Sequence, residues 1–85
     1  MHDFYLISYY RTEAGFGYSK LKNGQDRLGG GNGFSDLEML AGEVKAEMSR
    51  VSKDIPVTPI NMVPETETGT RLSPADENKM MELLS

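Results

Sequence analysis

The 85-residue chain holds one histidine and no cysteine, which narrows its chemistry before any fold is considered. Without cysteine there is no disulfide framework, no thiolate ligand for zinc and no thiol nucleophile. His2 lies beside the N-terminus with no second histidine near it. A zinc site there would need carboxylates for all its other ligands. It has no evident orienting partner either, so no serine–histidine–aspartate set is legible. His2 reads as an ordinary surface residue. Glu38, Glu43 and Glu47 fall on the polar side of a helical stretch and read as a solvated face, not as paired acids and bases. The expectation is a protein without catalysis, metal or cofactor.

The run Gly29-Gly30-Gly31-Asn32-Gly33 invites a phosphate-loop reading. A P-loop needs GxxxxGK[ST] and a dinucleotide fold needs GxGxxG, and neither spacing is met. The run does lead towards a helix start, where free amides can hold an anion. Gly31, Gly33 and Ser35 are therefore the candidate anion or nucleotide site. The competing reading is a flexible linker covering Asn23 to Gly33, and it is preferred.

A second constellation is aromatic and basic. Phe4-Tyr5-Leu6-Ile7-Ser8-Tyr9-Tyr10 is apolar on both side-chain parities, as expected of a central strand covered on both sides. It runs from about Asp3 to Arg11. After a short turn around Gly15, a second strand runs from Phe16 to Lys22 and closes at Asn23-Gly24, a strong turn pair. Pairing Arg11 with Phe16 sets Tyr9 opposite Tyr18, Ile7 opposite Lys20 and Leu6 opposite Leu21. This register segregates the side chains. One face then carries Phe4, Leu6, Tyr10 and Leu21 beside Ser8, Gly17 and Ser19, small residues that would admit a helix closely. The other carries Tyr5, Ile7, Tyr9, Phe16 and Tyr18, fringed by Arg11, Lys20 and Lys22. These eight are the candidate interface.

Ser35-Asp36-Leu37-Glu38 reads as a capping box with Phe34 as its hydrophobic staple. Behind it Leu37, Leu40, Ala41, Val44, Met48 and Val51 form one apolar stripe, predicting a helix from Asp36 to Ser52. Pro56 ends it. Val57 to Val63 reads as a third strand, which Pro59 confines to a sheet edge. Pro64 to Leu72 reads as a loose polar stretch. Ser73-Pro74 opens a short C-terminal helix with Met80, Met81 and Leu84 on its apolar side.

The expected fold is α+β: a three-stranded sheet in order 2-1-3, a main helix on one face and a short C-terminal helix. Residues 1–64 would form a ββαβ core, and residues 65–85 a polar linker with that helix. The motif F-Y-L-I-S-Y-Y, the G-F-G of residues 15–17, the single main helix and the P-I-N-M-V-P-E of residues 59–65 together resemble small ββαβ proteins associated with tailed phages and prophages. The resemblance implies a bacterial or phage cytoplasmic setting and an accessory role, host-directed action being one form of it, with no activity or functional residue to carry over.

Net charge is −4, which disfavours non-specific nucleic-acid binding by the whole molecule. The N-terminus lacks the pattern of a signal peptide, and no apolar run approaches the roughly 20 residues of a membrane span. The tyrosine face is thus expected to meet a protein partner, a second copy of the chain being favoured. The alternatives weighed are burial of that face under the C-terminal helix, a small-ligand or nucleotide binder using the glycine run, and base stacking on the tyrosines.

Overall fold

The computed structural model describes residues 3–85; His2 lies outside them. Strand β1 (Tyr5–Thr12) pairs antiparallel with β2 (Gly15–Lys22), and β2 with β3 (Asp26–Phe34). Helix α1 (Leu37–Arg50) then leads to β4 (Val57–Asn61), parallel to β1, and α2 (Pro74–Leu84) ends the chain. Sheet order is β3-β2-β1-β4. The fold is α+β with a mixed sheet. The three expected strands stand in the expected order, and a fourth is added outside β2. Among the described residues no helix is long and apolar enough to cross a membrane.

The β1–β2 register is the one that segregates the side chains: Arg11 opposite Phe16, Tyr9 opposite Tyr18, Ile7 opposite Lys20, Leu6 opposite Leu21. The helix, however, lies on the other face from the one expected. Ile7, Tyr9 and Tyr18 are buried in one cluster with Leu37, Leu40, Ala41 and Val44 of α1, and with Leu72 and Met80. Tyr9 lies near Glu77 of α2, and Tyr18 near Glu43 and Glu47 of α1. Both helices thus cover the tyrosine face. Large aromatic side chains offer more apolar area to an amphipathic helix than serines do, and that area decides the packing.

Residues 62–70 cross the opposite face as a strap, with a turn in which Glu67 N donates to Pro64 O at 3.0 Å. Gly69 lies against the Tyr10 ring and the Arg11 carbonyl, and Arg11 and Thr70 exchange backbone hydrogen bonds of 2.8 Å each. Ser8, Tyr10, Ser19 and Leu21 are all buried there. The small residues of this face do permit a close approach, made by backbone instead of a helix. The stretch expected to be loose is therefore built in. Asn61 fixes its base: Leu72 N donates to Asn61 Oδ1 at 2.8 Å, and Asn61 Nδ2 donates to Leu72 O at 3.1 Å and to Glu77. Leu72 and Met80 lie in the core, so residues 65–85 pack on the same core as residues 3–64.

The second correction is β3, which replaces the expected flexible loop. Asn23 and Gly24 both take positive φ and make the turn into it. Gly29, Gly30 and Gly31 pair with Lys20, Ser19 and Tyr18, so the middle of this edge strand is held through its backbone. A Cβ at Gly30 would overlap the Tyr18 carbonyl oxygen, and one at Gly31 would crowd the Tyr18 and Phe34 rings at 3.2–3.3 Å. Here glycine allows close approach; it does not break the strand.

The third correction is one residue long. The N-cap of α1 is Asp36, whose Oδ1 accepts from Met39 N at 2.8 Å, while Ser35 Oγ donates to Met39 Sδ at 3.3 Å. Ser73 caps α2 as expected, accepting from Asp76 N at 3.3 Å, with Pro74 at the first turn. Asp36→Ala should therefore cost about 1 kcal/mol, and Ser35→Ala close to nothing. Thermal unfolding of the two variants checks it; equal losses would reject the assignment.

The tyrosine core makes stability depend on alkaline pH. Burial pushes the Tyr9 hydroxyl up, with Glu77 adding to it, and burial pushes up Tyr18, with Glu47 and Glu43 adding. Burial also raises Tyr10 against the lowering effect of its Ser19 hydrogen bond. A folded-state pKa above the unfolded value of about 10 leaves stability whole below that pH and removes it as pH rises further. Each tyrosine held protonated then lowers stability by about 1.4 kcal/mol per pH unit. Tyrosinate absorbance should rise together with loss of circular dichroism. Ionisation of these three tyrosines near pH 10 in a chain that stays folded would contradict it.

Candidate functional site

The eight candidate interface residues do not form one open surface. Ile7, Tyr9 and Tyr18 are sealed beneath α1 and α2, and Phe16 is half-buried against the same cluster. Tyr5 is half-buried, with Lys20 Nζ 5.1 Å from its ring centroid. Lys22 stands opposite Tyr5 at the end of β2, and Arg11 is exposed at the far end of β1. No tyrosine platform is left for stacked bases, and the face expected to receive a second copy is filled from within the chain.

The candidate anion site is also dispersed. Gly31 is committed to its pairing with Tyr18, and Gly33, at φ 82°, donates its amide to Asn32 Oδ1 at 2.7 Å. The start of α1 already holds the Asp36 carboxylate on Met39 N, with Glu38 in the first turn. Two carboxylates at a helix N-terminus use its field and repel a phosphate. Among the described residues no group of three histidine, aspartate or glutamate side chains could hold a metal ion.

The structure instead brings together residues that share no sequence motif. On the strap side, the end of the β1–β2 hairpin, the middle of β3 and residues 67–70 enclose an open cleft of about 1090 Å³. Tyr10, Thr12, Arg27, Asn32, Glu67 and Thr68 are among its lining. No protein-family model, curated protein or solved structure matches the chain. Any functional reading therefore rests on this cleft and its neighbours.

A polar chain runs across the cleft floor. The Tyr10 hydroxyl hydrogen-bonds Ser19 Oγ at 2.8 Å, and Arg27 Nε donates to the same oxygen at 3.3 Å and meets Glu67 Oε1 at 2.8 Å. Thr12 Oγ1 donates to Asn32 Oδ1 at 2.7 Å. Gly33 N donates to the same oxygen at 2.7 Å, and Asn32 Nδ2 makes no hydrogen bond among the described residues. Sequence reading missed Tyr10, Arg27, Asn32 and Glu67 as a set. The Ser8–Tyr10 spacing on β1, with Ser19 opposite Ser8 on β2, could have signalled Tyr10 and Ser19; nothing in the sequence links them to Arg27, Asn32 or Glu67.

Deeper under the strap, Ser8 is fully buried and its Oγ has no hydrogen-bond partner among the described residues. A buried hydroxyl without a partner carries a desolvation cost of about 1–3 kcal/mol, which an alanine does not. Ser8→Ala should therefore raise stability by about 1 kcal/mol. A denaturation midpoint lower than that of the parent chain would overturn this.

Proposed function

We propose that the chain is a small non-catalytic interaction protein whose contact surface is the strap-side cleft, not the tyrosine face. The observation that carries this is the cleft itself: a depression of about 1090 Å³, open to solvent and lined by hydrogen-bonding side chains. Pockets for small ligands usually span about 300–1,000 Å³ and are mostly apolar. A broad, open cleft whose lining is about half polar and half apolar suits a segment of a protein partner better than a buried metabolite. A bacterial cytoplasm and a phage or prophage accessory role belong to this proposal on the strength of the sequence resemblance alone.

The test is capture from a bacterial lysate with matched variants. Asn32→Arg fills the cleft, whereas Met81→Arg alters the exposed outer side of α2. A partner held by the parent chain should be lost with Asn32→Arg and kept with Met81→Arg. The reverse pattern would move the contact surface to the helices.

A further inference from the structure

Arg27 sits in the cleft with a carboxylate already on it. Its Nε meets Glu67 Oε1 at 2.8 Å and Ser19 Oγ at 3.3 Å, and its terminal nitrogens make no hydrogen bond among the described residues. An arginine fork has donors enough for a second, bidentate carboxylate contact. Asn32 lines the same cleft; its Oδ1 accepts from Thr12 and Gly33, and its Nδ2 donors make no hydrogen bond among the described residues. The glycines help as well. Gly30 has no side chain, and an added Cβ there would lie 2.7 Å from an Arg27 terminal nitrogen, so the guanidinium can lie down on the strand.

Glu67 comes from the strap, a segment held at its ends by Thr70 and by the Asn61 bracket. Its ion pair with Arg27 is partly exposed, with side chains 40% and 30% accessible. Such a pair is weak and can be displaced. The chain's net charge of −4 opposes an acidic partner at long range. At physiological salt, however, that field is screened beyond roughly 8 Å, and within the cleft Arg11 and Arg27 stand against Glu13 and Glu67, so an acidic group gains only where it displaces Glu67.

We propose that the cleft receives an acidic side chain of a partner peptide, which takes Arg27 from Glu67 and is completed by the Asn32 amide. Glu67 acts in the free protein as an internal stand-in for that ligand. This rests on the cleft being the contact surface, and the experiment separates the two ideas.

Short peptides carrying one central glutamate, and the same peptides carrying glutamine, are titrated to millimolar concentration into isotopically labelled protein. Arg27 Nε–H, the Asn32 side-chain amide and the Thr68 amide are followed by NMR. The glutamate peptide should shift all three saturably and bind about tenfold more tightly than its glutamine twin, as charge-assisted bonds are the stronger kind. Arg27→Gln should abolish that preference. Glu67→Gln should tighten the glutamate peptide by about two- to fivefold, the scale of a lost exposed competitor. Equal binding of both peptides in the cleft would overturn the acidic ligand and leave the contact surface standing. No cleft shift with either peptide would overturn both. Weaker glutamate binding in Glu67→Gln would overturn the stand-in role.

Discussion

Removing residues 73–85 should leave a chain that no longer folds. Helix α2 carries Met80, fully buried, and Leu83 and Leu84 packed on the cluster that contains Ile7 and Tyr9. Truncating a buried methionine alone costs about 2–5 kcal/mol. At about 0.05–0.15 kcal/mol per residue, a chain of this length has only some 4–13 kcal/mol in all. The deletion also strips Glu77 from Asn61, the side chain that brackets Leu72 at the foot of the strap. The Lys79–Glu38 pair between the helices, 2.8 Å and exposed, adds little. Circular dichroism and amide dispersion of the 1–72 chain should be those of an unfolded or molten state. A cooperative, folded 1–72 domain with solvated Tyr9 would make α2 an appendage and reopen the tyrosine face.

What the sequence made legible follows from patterns with a single physical solution. Leu37, Leu40, Ala41 and Val44 can share a face only on a helix, and all four are buried. The hairpin register was legible because a one-residue slip would mix tyrosines with serines on both faces. Pro59 confined β4 to an edge, and β4 is an edge.

The choice of face was not legible, because β1 is apolar on both parities. Ser8, Gly17 and Ser19 signalled close approach without saying whether a helix or an extended segment would make it. The strap reads as loose because residues 64–71 are polar, yet Arg27–Glu67 and the Arg11–Thr70 bridge hold it across the face. Gly29 to Gly31 carry no side-chain periodicity, so a strand whose middle pairs through backbone leaves no trace there in hydrophobic pattern. The cleft was hidden for the same reason. Arg27 comes from that unreadable strand and Glu67 from the unreadable strap, and only the tertiary fold brings them together.

Leu40→Ala should be the most damaging single substitution in the stripe of α1. Leu40 is fully buried among Ile7, Tyr9, Tyr18 and Met80 in the cluster where both helices meet the sheet. Its loss removes the transfer free energy of the side chain and leaves a cavity, together about 2–5 kcal/mol. The rings of Tyr9 and Tyr18 cannot readily collapse into that space, because their strand pairing fixes them opposite each other. The cost should therefore fall in the upper part of the range. Met39 is the control: one residue away on the same helix and about half exposed, it should change stability by less than about 0.5 kcal/mol on truncation to alanine. Urea denaturation of both variants measures the difference, and an unchanged slope would place the effect on stability, with no change in the surface exposed. A loss below 1 kcal/mol for Leu40→Ala would mean that the tyrosines do not depend on α1 for their cover.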